Sequence, residues 1–304
     1  MLVLPGANED GGGTVGVFRG WVVALCAWSV ALVSLVAFAP AGEALGPVPG
    51  FNYRCFPAGT GAVDPIVSPG RESSHVHEFF SSMPSPDTTT AQKLRELDHN
   101  CVFPSNPGLP TYEKDSYWMP QLTLRDGTTA TPKGVGVYFR KTPGEDARSV
   151  QPPPTGLKYV VGSPDAAGPQ RGVYWKCIGP DRRSPGYAMP DRDCAQGENI
   201  RLFLDMPSCS DGRADSRNHK AHMAYPVPGK GCPASHPRPV PFVTLDFGFE
   251  ERTMRGARMV DHHGGTVAPH ADFFNGTKYA VWERHLNECI RTGAGCGGAG
   301  TRGG

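Results

Sequence analysis

The residues able to do chemistry fall in a few short polar segments. His75 and His77 stand two apart in "SSHVHE". On an extended strand side chains repeat every two residues, so both imidazoles face one side and Glu78 faces the other. His270 and Asp272 in "HADFF" share a face for the same reason. His219 and His222 in "NHKAHM" are three apart, a spacing that one helical turn brings together. Asp261, His262 and His263 form a further cluster, and His236 lies in "CPASHP". Neutral imidazoles completed by a carboxylate suit a divalent metal. The same groups without a metal make a general base with a carboxyl partner. The plain alternative is that each histidine bonds a backbone carbonyl in a loop-rich chain, since such spacings also arise by chance. Three pairs in one chain point to a shared site built from His75, His77, His222, His270 and Asp272, with the four histidines as candidate metal ligands.

Other chemistries lack their signatures. "HKAHM" has no glutamate placed to serve as the base of a zinc protease, and there is no Gly-x-Ser-x-Gly elbow or phosphate-binding glycine loop. Tyr112, Tyr117, Trp118, Tyr174, Trp175 and Tyr225 lie beside proline or polar residues, where sugar-stacking platforms are built; core filling beside a turn is the alternative. Asn275-Gly276-Thr277 matches the N-glycosylation acceptor pattern.

The elements that must position these groups read as strands. "GVGVYFRK" turns Val135, Val137 and Phe139 to one face, and "IRLFLDM" does so with Ile200, Leu202 and Leu204. In "VTLDFGFE", Leu245, Phe247 and Phe249 share one face while Thr244, Asp246 and Glu250 share the other. "LKYVVG" and "GVYWKC" are further short apolar runs, and Gly (39) with Pro (31) supplies nearly a quarter of 304 residues for turns. Helices are expected only at Thr90 to His99 and at Thr277 to Ile290, the latter burying Tyr279, Trp282 and Leu286. The fold class that follows is mainly β: a single antiparallel, β-sandwich-like domain over residues 45–292, with long irregular loops and a few short helices. Residues 293–304 form a Gly-rich flexible tail in which Cys296 alone is a candidate for a tie.

Cysteine usage and the N-terminus bear on compartment. One of nine cysteines, Cys26, lies in an uncharged apolar stretch at residues 20–39, long enough to span a bilayer. Residues 1–44 are accordingly a signal peptide or an N-terminal membrane anchor, and any membrane contact runs through residues 20–39. The eight remaining cysteines form no close Cys-x-x-Cys pair, which favours disulfides in an exported domain. Short rings such as Cys177 to Cys194, Cys209 to Cys232 and Cys289 to Cys296 are expected among about 105 pairings. Thirty basic against 29 acidic residues leaves no electrostatic case for nucleic-acid binding.

"DPIVSPG", "SSHVHEFF", "SYWMPQL", "VYFRK", "PSCSDGRADSRNHKAHMAYP", "CPASHP", "HADFFNG" and "ERHLNECI" follow one another in this order. The set resembles the exported domain-of-unknown-function family number nineteen-ninety-six of fungi and actinobacteria, over roughly residues 51–291. Positions of the family motifs here are Asp64, His75, His77, His219, Lys220, His222, Tyr225, His236, His270, Asp272 and Asn275. Thr277 departs from the Trp that usually follows Asn-Gly. The family often accompanies WSC-type carbohydrate-binding modules, which implies a polysaccharide-rich setting; no such module is present here. The reading that results is an exported protein acting on extracellular or cell-wall polysaccharide through a His/Asp-rich cleft. His75, His77, His222 and His270 line that cleft, Asp272 orients an imidazole or acts as its proton partner, and Tyr225 is a catalytic or sugar-contacting group. Trp118, Lys220 and Asn275 contact substrate. A lyase would use His or Tyr as base; a hydrolase would need a carboxylate pair drawn from Asp205, Asp211 and Asp272. The alternative is a non-catalytic carbohydrate-binding or cell-surface module whose histidines are structural or hold a structural metal.

Overall fold

Ten strands pair into two five-stranded antiparallel sheets in the computed structural model, which describes residues 49–104, 108, 110–179, 186–187, 192–293 and 295–296. The first sheet runs in the order β1 (Gly50–Cys55), β6 (Pro132–Arg140), β13 (Phe242–Phe249), β9 (Asn199–Asp205) and β8 (Val173–Ile178). The second runs β2 (Pro57–Val63), β3 (Glu72–Phe80), β4 (Ser116–Pro120), β16 (His270–Phe274) and β7 (Lys158–Gly162). Two small sheets join them: β11 (Met223–Ala224), β10 (Cys209–Ser210) and β12 (Arg238–Pro239); and β15 (Thr266–Val267), β14 (Arg258–Val260) and β5 (Leu122–Thr123). All described residues belong to one compact unit, Ala44–Gly304.

The two large sheets face each other across one core. Alternation sends Val135, Val137 and Phe139 of β6 and Leu202 and Leu204 of β9 inward from one side. Tyr117 and Met119 of β4 and Ala271 and Phe273 of β16 come from the other. Phe80 of β3 meets Phe247 of β13 with ring centroids 5.1 Å apart, which joins the layers directly.

The second sheet is also buried on its far face. Phe79, Trp118, Val160 and Phe274 project there and pack with Ile66 and with Leu94 of the short helix α1 (Ala91–Arg95). Both β4 and β16 are consequently buried at every position, and their sequences lack the apolar/polar alternation of a half-exposed strand. The second helix, α2 (Tyr279–His285), continues as a π-helical turn to Ile290. Its buried stripe is Trp282, His285, Leu286 and Cys289; Tyr279, expected inside, is 59% exposed because it lies in the first turn, beyond the edge of the core.

Four disulfides close the described chain: Cys55–Cys101, Cys177–Cys194, Cys209–Cys232 and Cys289–Cys296, three of them the short rings expected. They are compatible with an extracellular protein. The backbone N–H of Cys296 donates to the Gly50 carbonyl at 2.8 Å, so the start of the tail is tied to β1. Among the described residues no helix is long and apolar enough to cross a membrane. The leader or anchor expected over residues 1–44, and the tail past Cys296, lie outside the described residues.

Candidate functional site

The far face of the second sheet carries the polar cluster as well as the apolar one. On β3, His75 and His77 share that face with Phe79; on β16, His270 and Asp272 share it with Phe274. Register sets which of them meet. Asp272 pairs with Trp118 of β4, while His77 pairs with Pro120 of β4 and His270 with Gly162 of β7. In that second row the residues beside the histidines are small or cyclic. Imidazoles on β3 and β16, about 10 Å apart across β4, can therefore lean together over Pro120. His75 Nε2 and His270 Nε2 stand 3.2 Å apart. The His77 ring centroid is 4.4 Å from that of His75 and 6.0 Å from that of His270. Gly162 is needed here: its φ is +81°, and a Cβ would lie 2.6 Å from the Pro269 carbonyl oxygen and 2.9 Å from His270 Cα.

Backbone carbonyls set the tautomers. His77 Nδ1 donates to the Val63 carbonyl and His270 Nδ1 to the Ala268 carbonyl, both at 2.9 Å. Each ring thus keeps a lone pair on Nε2. His75 Nδ1 meets Ser74 Oγ at 3.1 Å. Asp64, at the turn after β2, accepts the N–H groups of Ile66 and Val67 on Oδ1 at 3.0 and 2.9 Å. Donor atoms of His75, His77 and His270 lie within 4.8 Å of one another, and so do those of Asp64, His77 and Asp272. His77 belongs to both groups.

The cluster is closed. Asp64 is 4% exposed, His75 6%, His270 3%, and His77 and Asp272 are fully buried. Burial depresses the pKa of all three imidazoles, that of His77 well below its usual range and that of His270 to about 3. Burial pushes Asp64 up and Asp272 well up; the Asp64 charge adds to the rise at Asp272 and the Lys220 ammonium opposes it. Among the described residues neither Asp272 oxygen has a hydrogen-bond partner, and neither has His77 Nε2.

Two loops flank the cluster. The segment preceding β11 runs along β7, with the Val160 N–H donating to the His219 carbonyl at 3.0 Å and the Lys220 ammonium donating to the Gly162 carbonyl. On the other side the β14–β15 turn carries Asp261, His262 and His263. The His262 N–H donates to the Ser74 carbonyl at 3.0 Å, and both histidines are exposed.

Four residues expected at the site do other work. His222 is fully buried with Nδ1 at 2.9 Å from Ser216 Oγ, and its nitrogens are not among the converging donors. The Tyr225 hydroxyl donates to the Asp205 carbonyl at 2.8 Å and lines a separate hollow of about 370 Å³ with Arg171, whose guanidinium covers the Tyr225 ring at 4.2 Å. Trp118 is fully buried beside Phe79, 5.4 Å between centroids, and offers no face to a sugar. Asn275 is fully buried: its amide donates to the Pro154 carbonyl and accepts the Trp282 indole N–H, each at 3.0 Å. That burial also removes it as a glycan acceptor in the folded chain. The carboxylates named for hydrolysis are dispersed. Asp205 accepts from Thr244 Oγ1 at 2.6 Å on the first sheet, and Asp211 is paired with Arg213 at 2.7 Å. His236 bonds the Ala221 carbonyl at 3.0 Å. The cluster instead gains Asp64, which only the family motif indicated, and the carbonyls of Val63 and Ala268, which no residue type announces.

Fold and site together define a disulfide-stapled antiparallel β-sandwich with a buried His/Asp centre on the far face of one sheet. The chain belongs to the family described as domain of unknown function (DUF1996), whose model matches residues 64–276. That span opens on Asp64 and holds all five members of the cluster. No curated protein and no solved structure gives a significant match.

Proposed function

We propose that the chain is an exported protein acting on extracellular or cell-wall polysaccharide at the His75/His77/His270/Asp64/Asp272 centre. The observation that carries this reading is the convergence of three imidazoles and two carboxylates from β3, β16 and the turn after β2. Such a concentration of buried ionisable groups is unfavourable for folding alone and marks a candidate functional site. The setting is supported by the WSC-type modules that often accompany the family. Polymer would meet the centre on the side of His75, next to the turn that carries Asp261 and the exposed His262 and His263, and His262 is the group assigned in this reading to move a proton there. Elimination fits better than hydrolysis. A glycosidase needs its two carboxyls on either side of a sugar ring, whereas Asp64 and Asp272 are both buried and converge beneath the imidazoles.

The test is a panel of neutral and uronate-bearing polysaccharides incubated with the full chain, read for unsaturated and for reducing ends. Unsaturated ends that vanish in His75→Ala and fall in His262→Ala are the expected result. Reducing ends without unsaturation would mean hydrolysis. Polysaccharide retained without any product would favour the second reading, a non-catalytic surface module, whose supporting observation is the complete burial of His77 and Asp272.

A further inference from the structure

We propose that the buried cluster is a binding site for one divalent transition-metal ion, held by Nε2 of His75, His77 and His270 and by a carboxylate oxygen of Asp272, with Asp64 as the second balancing carboxylate. Three independent features lead there. The first is orientation. Both Nδ1–H groups that would otherwise define the tautomer are spent on backbone carbonyls, at 2.9 Å in His77 and in His270. The Nε2 lone pairs of these two rings therefore belong to the cluster, an arrangement in which a second-shell carbonyl fixes each ligand.

The second feature is spacing. Two nitrogens bound to one ion at about 2.0–2.1 Å with a tetrahedral angle lie roughly 3.3 Å apart. His75 Nε2 and His270 Nε2 lie 3.2 Å apart. Donors placed across an ion at that bond length are separated by at most about 4.2 Å. The donors of each triad lie within 4.8 Å of one another and His77 belongs to both, so closing either triad to the roughly 3.3 Å separations of a tetrahedral shell takes side-chain movements of up to about 1.5 Å.

The third is unmet demand. Three buried polar atoms at the centre, His77 Nε2 and both oxygens of Asp272, have no hydrogen-bond partner among the described residues. A buried polar atom left unpaired costs roughly 1–3 kcal/mol and more if charged, so three around one point call for a common partner. Lys220 does not fill that role, since its ammonium donates to the Gly162 carbonyl and forms no ion pair with Asp272 among the described residues. A divalent ion binds two of the three directly, His77 Nε2 and one Asp272 oxygen, offsets the buried charge on the other oxygen, and is balanced by the two aspartates. Three imidazoles and an oxygen suit zinc and its first-row neighbours, whereas calcium and magnesium prefer all-oxygen shells.

The assignment does not depend on polysaccharide turnover, and its test is read without a substrate. The full chain, with its disulfides formed, would be stripped with a chelator, loaded with Zn²⁺, passed through a desalting column and counted for zinc per chain. X-ray absorption at the zinc edge would then give the inner shell. One ion per chain with a three-imidazole shell is expected. Zinc affinity should fall at least about 100-fold in His77→Ala and in Asp272→Asn, and stay at the wild-type level in His222→Ala, whose imidazole is buried outside the cluster. A folded wild-type chain that retains no zinc, or a shell with fewer than two imidazoles, would overturn the proposal whatever the variants do. Zinc held by His77→Ala at wild-type affinity would overturn it too.

Discussion

Glu113→Gln should stabilise the folded chain, by an amount that grows with pH. Glu113 and Asp115 are 2% and 1% exposed in one pocket. Asp115 is the better solvated by protein: Oδ1 accepts the N–H groups of Gly276 and Thr277 at 3.0 and 2.9 Å, and Oδ2 accepts the Tyr117 hydroxyl. Burial nevertheless pushes its pKa up to about 6, and burial together with the Asp115 charge raises Glu113 well above its usual range. A proton count agrees. His99 Nε2 meets the Leu94 carbonyl at 3.0 Å, which can only accept, so that nitrogen carries the proton of a ring that burial keeps neutral. Nδ1 must then accept from Ser81 Oγ, 3.1 Å away. Ser81 has one hydroxyl proton, which cannot serve both His99 Nδ1 and the Glu113 Oε2 3.0 Å away; a protonated Glu113 is the state that satisfies both contacts. A glutamine reproduces that protonated carboxyl: its oxygen takes the Asp115 N–H and its amide donates to Ser81.

The pH dependence follows from the raised values. Both carboxyls hold protons in the folded chain that they lose when unfolded, so their contribution is fully present at low pH and is lost as pH rises. For Asp115, from 3.8 unfolded to about 6 folded, the loss is roughly 3 kcal/mol, complete just above pH 6. For Glu113 each pH unit above 4.5 removes up to about 1.4 kcal/mol until its own carboxyl ionises. The buried imidazoles act in the opposite sense below pH 6.5, but they are common to both proteins and cancel in the difference. Urea unfolding of wild type and variant at pH 5, 6, 7 and 8, with disulfides intact and constant ionic strength, measures it. The variant's advantage should widen steadily. A difference that stays flat from pH 5 to 8, or a variant less stable than wild type at pH 8, would show that Glu113 is ionised in the fold and that the proton count is wrong.

Replacing Cys55 and Cys101 together by Ser opens a 46-residue ring and should cost about 4 kcal/mol, against about 2 for the seven-residue Cys289–Cys296 ring; guanidinium midpoints in the reverse order would contradict the loop-entropy account. Trp118→Ala should cost about 3–5 kcal/mol from the cluster beneath α1. Trp118→Phe should leave polysaccharide retention unchanged, and a drop in retention at unchanged stability would restore it as a sugar contact. Asn275→Ala unpairs the Trp282 indole and the Pro154 carbonyl and should cost about 1–3 kcal/mol in thermal unfolding. Intact mass from a glycosylating host should show no glycan at Asn275, and an occupied site would mean that the segment folds after modification.

Much of the first sheet was legible in the sequence. Its outer face is half-exposed, so β6 and β9 alternate cleanly and the inward residues name themselves. The second sheet was not, because its far face is covered by α1 and the turn at Asp64. With both faces buried, Trp118 on β4 and Asp272 on β16 carry no local sign of their surroundings. The misplaced Tyr225 has the same origin: a tyrosine beside proline looks equally suited to a sugar or to backbone carbonyls, and here two carbonyls, those of Asp205 and Arg171, take its hydroxyl.

Spacing along a strand is a local property, and it determined what depends on one strand alone. His75 faces the same way as His77, and His270 the same way as Asp272, because the pleat repeats every two residues. The even cysteine count and the short rings it suggested are likewise properties of neighbouring sequence. Which pairs come together is not local. That β3 and β16 flank β4 with His75 and His270 in contact across it, that Asp64 joins His77 and Asp272, and that His222 stays outside the cluster were decided by sheet order and register. These are settled by packing residues nearly 200 positions apart, and nothing in the spacing of His75 and His77 encodes where His270 will lie.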